Sequence, residues 1–196
     1  KNYEHFYNFM SKIDFLKTFM KDRDVASITP TSLHCVKKVC TNIDFKKDLT
    51  LVEYGPGDGV FSNYILNRMT PGSKLILIEL NTDFYKHLNE TISDPRVMIY
   101  NTRAGDVETA IEPGYIGNVD YVLSGIPFSF LEKSRKAIVL NATKNILKEG
   151  GLFLAYQTSG HLKKPVMDVF GNLETEREIL NIPPYLIYRV VKNGAI

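Results

Sequence analysis

A chain of 196 residues with 44% hydrophobic and 23% charged residues is long enough for one sizeable core and short for two. That composition excludes disordered and low-complexity classes, and no apolar run approaches the roughly 20 residues of a membrane-spanning helix. The formal net charge of +2 is too small to imply nucleic acid by itself. What excess there is lies early, with nine Lys/Arg against six Asp/Glu over residues 1–50, where aromatic residues are also dense. Cys35 and Cys40 are the two cysteines, with no Cys/His cluster around them to make a metal site, so two reduced thiols in or near a core are expected. A cytoplasmic setting follows from the absence of a disulfide framework and of a secretory apolar segment; the start at Lys1 is consistent with a trimmed N-terminus.

In chain order, Phe6, Phe9, Met10, Ile13, Leu16, Phe19 and Met20 recur at helical spacing and predict a helix over residues 3–21. After a connector at residues 26–31, Thr31 or Ser32 caps a second helix running to about Thr41. Residues 49–54 form a short apolar strand ending in a glycine turn, and residues 60–69 return to helical spacing. Strands follow at residues 74–78, 96–100, 118–123 and 152–156, with helices at residues 83–91 and 132–147 between them. Two final strands, residues 174–182 and 186–192, flank Pro183-Pro184 with no helix between them. Alternating strands and helices imply a parallel sheet covered on both faces, and the last pair fits an antiparallel hairpin at one edge. The expectation is a seven-stranded, mostly parallel α/β core over residues 46–196, with residues 1–45 as an N-terminal helical cap.

The most informative segment is Glu53-Tyr-Gly-Pro-Gly-Asp-Gly59, at a strand-to-helix turn. Open α/β sheets bind ligands at the carboxyl ends of their strands. Gly55, Gly57 and Gly59 let the backbone turn sharply and approach a ligand closely, and Pro56 stiffens the turn. The order is not the G-x-G-x-x-G of a dinucleotide site, and Glu53 and Asp58 would repel a pyrophosphate while suiting a positively charged methionine end. Glu79, followed by Leu80, closes the second strand where a carboxylate can accept both hydroxyls of a ribose. Asp106, followed by Val107, comes after the third strand, where an acid can accept from an adenine amino group.

On these residues the sequence resembles the class I S-adenosylmethionine-dependent methyltransferases, from about residue 49 to the C-terminus. The resemblance implies a Rossmann-like fold, S-adenosylmethionine as cofactor with S-adenosylhomocysteine as product, and a glycine turn packed on the methionine part. It also implies that Glu79 holds the ribose and that Asp106 faces adenine.

The fourth strand leads into Ser124-Gly-Ile-Pro-Phe-Ser129. Adenine amino-methyltransferases carry an Asn-Pro-Pro-Tyr type motif at this place; here Ser124 stands where the Asn would be, so the amide acceptor is missing. The variant resembles the bacterial phospholipid N-methyltransferase family, which methylates phosphatidylethanolamine, as do Ala26-Ser-Ile-Thr-Pro-Thr-Ser32 and Asn181-Ile-Pro-Pro-Tyr185; rRNA adenine dimethyltransferases share the surrounding pattern. The candidate catalytic set is Ser124, Gly125, Ile126, Pro127 and Tyr156, with the carbonyls near Gly125 and Ile126, and Ser124 or Tyr156, as acceptors for amine protons. No strong general base stands out. The resemblance implies peripheral contact of the N-terminal helix with the inner face of the membrane, although Glu4, Asp14 and Asp22 weaken attraction to anionic lipid and the stripe equally fits packing on its own domain. Residues 159–165 read as a solvated loop whose Lys163 and Lys164 could meet a phosphate and whose His161 could take a proton. The alternatives left open are an adenine N6-methyltransferase, a small-molecule methyltransferase, a non-catalytic binding module and an NAD-dependent oxidoreductase.

Overall fold

The computed structural model describes residues 32–179 and 184–193. The helix expected over residues 3–21, the connector up to Thr31, and Asn181, Ile182 and Pro183 lie outside them. From Ser32 onward the chain forms one compact unit.

Helix α1, Leu33–Cys40, begins where the Ser32 side chain accepts from the Cys35 amide at 3.2 Å. Its Cys35, Val36, Val39 and Cys40 are buried, and burial pushes both thiols up to about 12. Then follow β1 (Thr50–Tyr54), α2 (Val60–Leu66), β2 (Lys74–Ile78), α3 (Thr82–Thr91), β3 (Val97–Tyr100) and the short α4 (Val107–Ala110). The second half runs β4 (Val119–Ser124), α5 (Lys133–Ile146), β5 (Leu147–Gln157), α6 (Lys163–Phe170), β6 (Glu174–Glu178) and β7 (Tyr185–Val191).

These strands make one seven-stranded sheet of order β3-β2-β1-β4-β5-β7-β6. The first five are parallel; β7 runs antiparallel to β5, and β6 antiparallel to β7, which is the expected edge hairpin. The strands read as continuous apolar runs because both faces are covered. Val52, Tyr54, Ile76, Ile78, Val122 and Phe153 pack with α4, α5 and α6 on one face. Leu51, Leu75, Leu77, Leu123 and Leu154 pack with α1, α2 and α3 on the other. Each such fully buried branched side chain contributes about 1.5–3 kcal/mol.

The short α4 was not among the expected elements, and two others differ from the expectation. Strand β5 starts at Leu147 rather than Leu152, because its pairing with β4 shifts register between Val119 and Tyr121 and so absorbs Gly150 and Gly151. The segment read as a loop at residues 159–165 is a 3-10 turn, Gly160–Leu162, leading straight into α6. Pro165 falls in the first turn of α6, where a missing amide costs nothing, and Leu162, Val166 and Phe170 bury its inner side. Lys164 pairs along that helix with Asp168 at 3.0 Å. At the sheet's edge, β6 exposes Glu174, Thr175, Glu176 and Arg177; Glu174 pairs with Arg189 and Glu176 with Lys38. Among the described residues no helix is long and apolar enough to cross a membrane.

Candidate active site

The strand order reverses direction between β1 and β4, and the segments leaving those two strands meet there. Gly55 still donates to the Ile78 carbonyl at 2.9 Å, and Gly125 to the Tyr54 carbonyl at 2.9 Å, so each strand is held one residue past its end. Beyond Gly55 the chain turns through positive φ at Gly55, Gly57 and Gly59, of 66°, 58° and 80°. Two of these glycines serve different ends. A Cβ at Gly55 would stand 2.8 Å from the Ile126 side chain, so this glycine lets the two loops close on each other. A Cβ at Gly57 would meet nothing within 4 Å, so this one faces open space beside the turn.

Glu79 ties the turn to β2. Its carboxylate accepts from the Gly57 amide at 3.2 Å and from the Asn81 amide at 2.7 Å. Burial raises its pKa and those amides oppose the rise. Leu80 beside it is 60% exposed. Asn101, which the sequence analysis did not single out, donates from its amide to the Glu79 and Leu80 carbonyls at 2.8 and 3.1 Å. An amide one residue past the end of β3 was the available signal.

Glu53 lies beneath the turn, buried, accepting from the Ser62 hydroxyl at 2.7 Å. Desolvation pushes its pKa up to about 8, with Glu79 and Asp58 adding to the rise and the Ser62 hydrogen bond opposing it. The native state therefore keeps a proton here between the ordinary carboxyl value of 4.5 and about 8, while the unfolded chain has lost it. Stability contributed by this group falls as pH rises through that window. Glu53→Gln keeps an acceptor for Ser62 and has no proton to lose. It is expected to melt like the parent near pH 4.5 and roughly 5 °C or more above it at pH 8, measured by calorimetry. Equal melting offsets at both pH values would show that Glu53 is ionised in the native state.

The acceptor loop follows β4. Ser124 has no exposed surface; by strand alternation it faces the α5 side, and its hydroxyl is buried with no hydrogen-bond partner among the described residues. Placed there, Ser124 Oγ is not at the open surface where the sequence reading set an amine acceptor. Gly125 lies against the Tyr156 hydroxyl and the Gly55 carbonyl, so a Cβ there would collide with the first and stand tight against the second. Pro127 is exposed. Tyr156, on the opposite face of β5, stacks on Phe61 at 4.7 Å and meets Tyr185 edge-on at 5.5 Å. Burial, then the Glu53 carboxylate, hold its phenol well above the usual range.

The structure thus brings together Gly55, Pro56, Gly57, Asp58, Gly59, Glu79, Gly125, Ile126 and Tyr156. Asp106 is exposed at the end of a 3-10 turn, Ala104–Asp106, that packs through Gly105 on Ile138 of α5. Val107 next to it is fully buried in the core, which leaves its backbone rather than its side chain for a ligand.

A turn with open space at Gly57, with Asp58 exposed on it and the Glu79 carboxylate tied to it, fits a cofactor with a cationic sulfonium and ammonium end. Comparison with known proteins agrees. The family model described as ribosomal RNA adenine dimethylase matches residues 29–122, just under half of the chain. An ornithine lipid N-methyltransferase of Singulisphaera acidiphila is 25% identical over 138 residues, 70% of this chain and 72% of that protein. The chain is a class I S-adenosylmethionine-dependent methyltransferase. It is related to the rRNA adenine dimethylases: a ribosomal RNA small subunit methyltransferase A of Hydrogenobaculum sp. is 26% identical over 56% of this chain and 39% of that protein. A solved precorrin-6y C5,15-methyltransferase of Geobacter metallireducens shares the methyltransferase's fold, with a TM-score of 0.65 at 15% identity over 87% of this chain and 95% of that one.

Proposed function

We propose that the methyltransferase transfers a methyl group to the primary amine of a membrane amino lipid, with a phosphatidylethanolamine-type headgroup as the first candidate acceptor. The carrying observation is the acceptor loop. Ser124 replaces the amide that an adenine amino group would need, and its hydroxyl is buried out of reach. Two further features support a lipid. The relative matched over 70% of the chain is an ornithine lipid N-methyltransferase, whose name also denotes an amino lipid. Phe130, 63% exposed, sits three residues past Pro127, and beyond Glu132 come Lys133, Arg135 and Lys136, a mixed apolar and mainly basic rim suited to an anionic lipid surface. The Phe and Met spacing of residues 6–20 also suits contact with a lipid surface, such as the inner face of the membrane.

In this reading Gly55, Pro56, Gly57, Asp58 and Gly59 cradle the methionine part of the cofactor, with Glu53 beneath as buried acid. Glu79 would accept the ribose hydroxyls, and Leu80, Asp106 and the Val107 backbone would hold the adenine part. When bound, the cofactor supplies an electrophilic methyl on a sulfonium. The lipid amine would have to reach the site as the neutral base, since only its free lone pair can take up the methyl group that the cofactor would supply. The carbonyls at Gly125 and Ile126 and the Tyr156 hydroxyl orient the amine hydrogens, and the surplus proton leaves to solvent after transfer. Alignment of this kind supplies several kcal/mol of the barrier reduction. Like-charge repulsion from the sulfonium disfavours the protonated amine in the same place.

A second reading, adenine methylation in ribosomal RNA, is favoured by the family match over residues 29–122. Incubation with methyl-labelled S-adenosylmethionine, phosphatidylethanolamine or ornithine-lipid vesicles, and total RNA separates the two. Label is expected in the lipid fraction. Label in RNA overturns the proposal in favour of the second reading. Label in neither, with the cofactor still bound, overturns it in favour of a small-molecule acceptor.

A further inference from the structure

We infer that Gln157 is a positioning residue for methyl transfer, holding the backbone on both sides of Pro127 so that the Ile126 carbonyl keeps one orientation at the acceptor site. This rests on the reading that the amine is presented at that loop. Gln157 ends β5 and is 5% exposed. Its Oε1 accepts from the Phe128 amide at 3.1 Å, and its Nε2 donates to the Ile126 carbonyl at 2.8 Å and to the Tyr156 carbonyl at 2.9 Å. Burying its amide costs hydration, which a methionine of similar length and similar rotamer freedom would largely avoid at this position. What a methionine could not do is bridge a donor and two acceptors.

The rest of the loop shows why that bridge matters. Gly125 is tied to the Tyr54 carbonyl, and Phe130 and Leu131 donate back to Pro127 and Phe128. Between those ties, Pro127 has no N–H to offer. Among the described residues, the Ile126 carbonyl and the Phe128 amide have Gln157 as their hydrogen-bond partner. The amide has one workable orientation, because flipping it would set N–H against N–H and oxygen against two carbonyls. Ser124, just before the loop, gives it no hydrogen bond from its side chain. Ile126 also carries the methyl that fills the space above Gly55, so a shift at Ile126 reaches the cofactor turn. Misplacement on the order of 1 Å at a reacting group costs about a hundredfold in rate.

The test uses the full-length protein with Gln157→Met, which removes both halves of the bridge, and Gln157→Glu, which as a carboxylate keeps an acceptor for Phe128 but loses the donors. With the acceptor that the parent labels, kcat is expected to fall about tenfold or more in both variants, with acceptor KM and S-adenosylmethionine affinity within about threefold. Hydrogen exchange at the Phe128 amide is expected to speed up in Gln157→Met, with the β5 amides still protected. Unchanged kcat, unchanged Phe128 exchange, or a joint loss of cofactor affinity, kcat and melting temperature would each overturn the assignment, the last by making Gln157 a general structural residue. If the parent labels no lipid, the proposed acceptor fails, while the Phe128 exchange still decides whether Gln157 holds the loop.

Discussion

Gly57→Val is expected to abolish S-adenosylmethionine binding while leaving the fold in place. The backbone at Gly57 has φ of 58°, a region that costs an L-residue about 1–2 kcal/mol, and more for a β-branched one. No protein atom within 4 Å would resist the new Cβ, so the folded chain tolerates its volume and the penalty to folding is the backbone strain alone. The open space it would fill lies beside the amide held by Glu79. A valine there occupies the place proposed for the cofactor's methionine part. Calorimetric titration should show affinity reduced by about a hundredfold or more, roughly 3 kcal/mol, with far-ultraviolet circular dichroism unchanged. Gly57→Ala should fall between the two. Parent-like affinity in Gly57→Val would remove the turn from the cofactor site.

Gly125→Ala should be nearly as damaging by the opposite cause, since here the space is already taken. The new Cβ would run into the Tyr156 hydroxyl and stand 3.2 Å from the Gly55 carbonyl, so either the Tyr156 ring or the acceptor loop must move. Tyr156 is itself wedged between Phe61 and Tyr185, which makes the loop the softer partner. Methyl transfer is expected to drop about a hundredfold, with cofactor affinity changing far less. Adding Tyr156→Phe removes the colliding atom, so the double variant should be less impaired than the sum of the singles. A strictly additive double-mutant cycle would show that the collision is not what inactivates Gly125→Ala.

How much of this was legible before the structure varies by residue. The glycine turn and the place of Glu79 were readable because strand ends are marked by apolar runs, whereas the Gly57 and Asn81 amides that the Glu79 carboxylate holds were not. Helix α1 was readable from its Ser32 cap. Helix α6 was misread because Pro165 and Gly160 look like loop residues, although Leu162, Val166 and Phe170 already stood at i, i+4 and i+8. Gln157 and Asn101 were invisible for a different reason. A carboxamide is informative only through its partners, and those partners are backbone atoms 31 and 22 residues away. Ser124 was placed correctly at the end of β4, but which face of a two-sided sheet it takes depends on register that the sequence leaves open by one residue.

Among the described residues β6 ends the sheet, and its exposed side chains bear on whether another chain could continue it. An unpaired strand edge is a template on which another chain can continue the sheet. Glu174, Glu176 and Arg177 stand in the way. An identical strand approaching this edge would have to strip water from alternating carboxylates and face like charges across the new ladder. The terminal hairpin that completes the described sheet thus also disfavours its extension by a further strand.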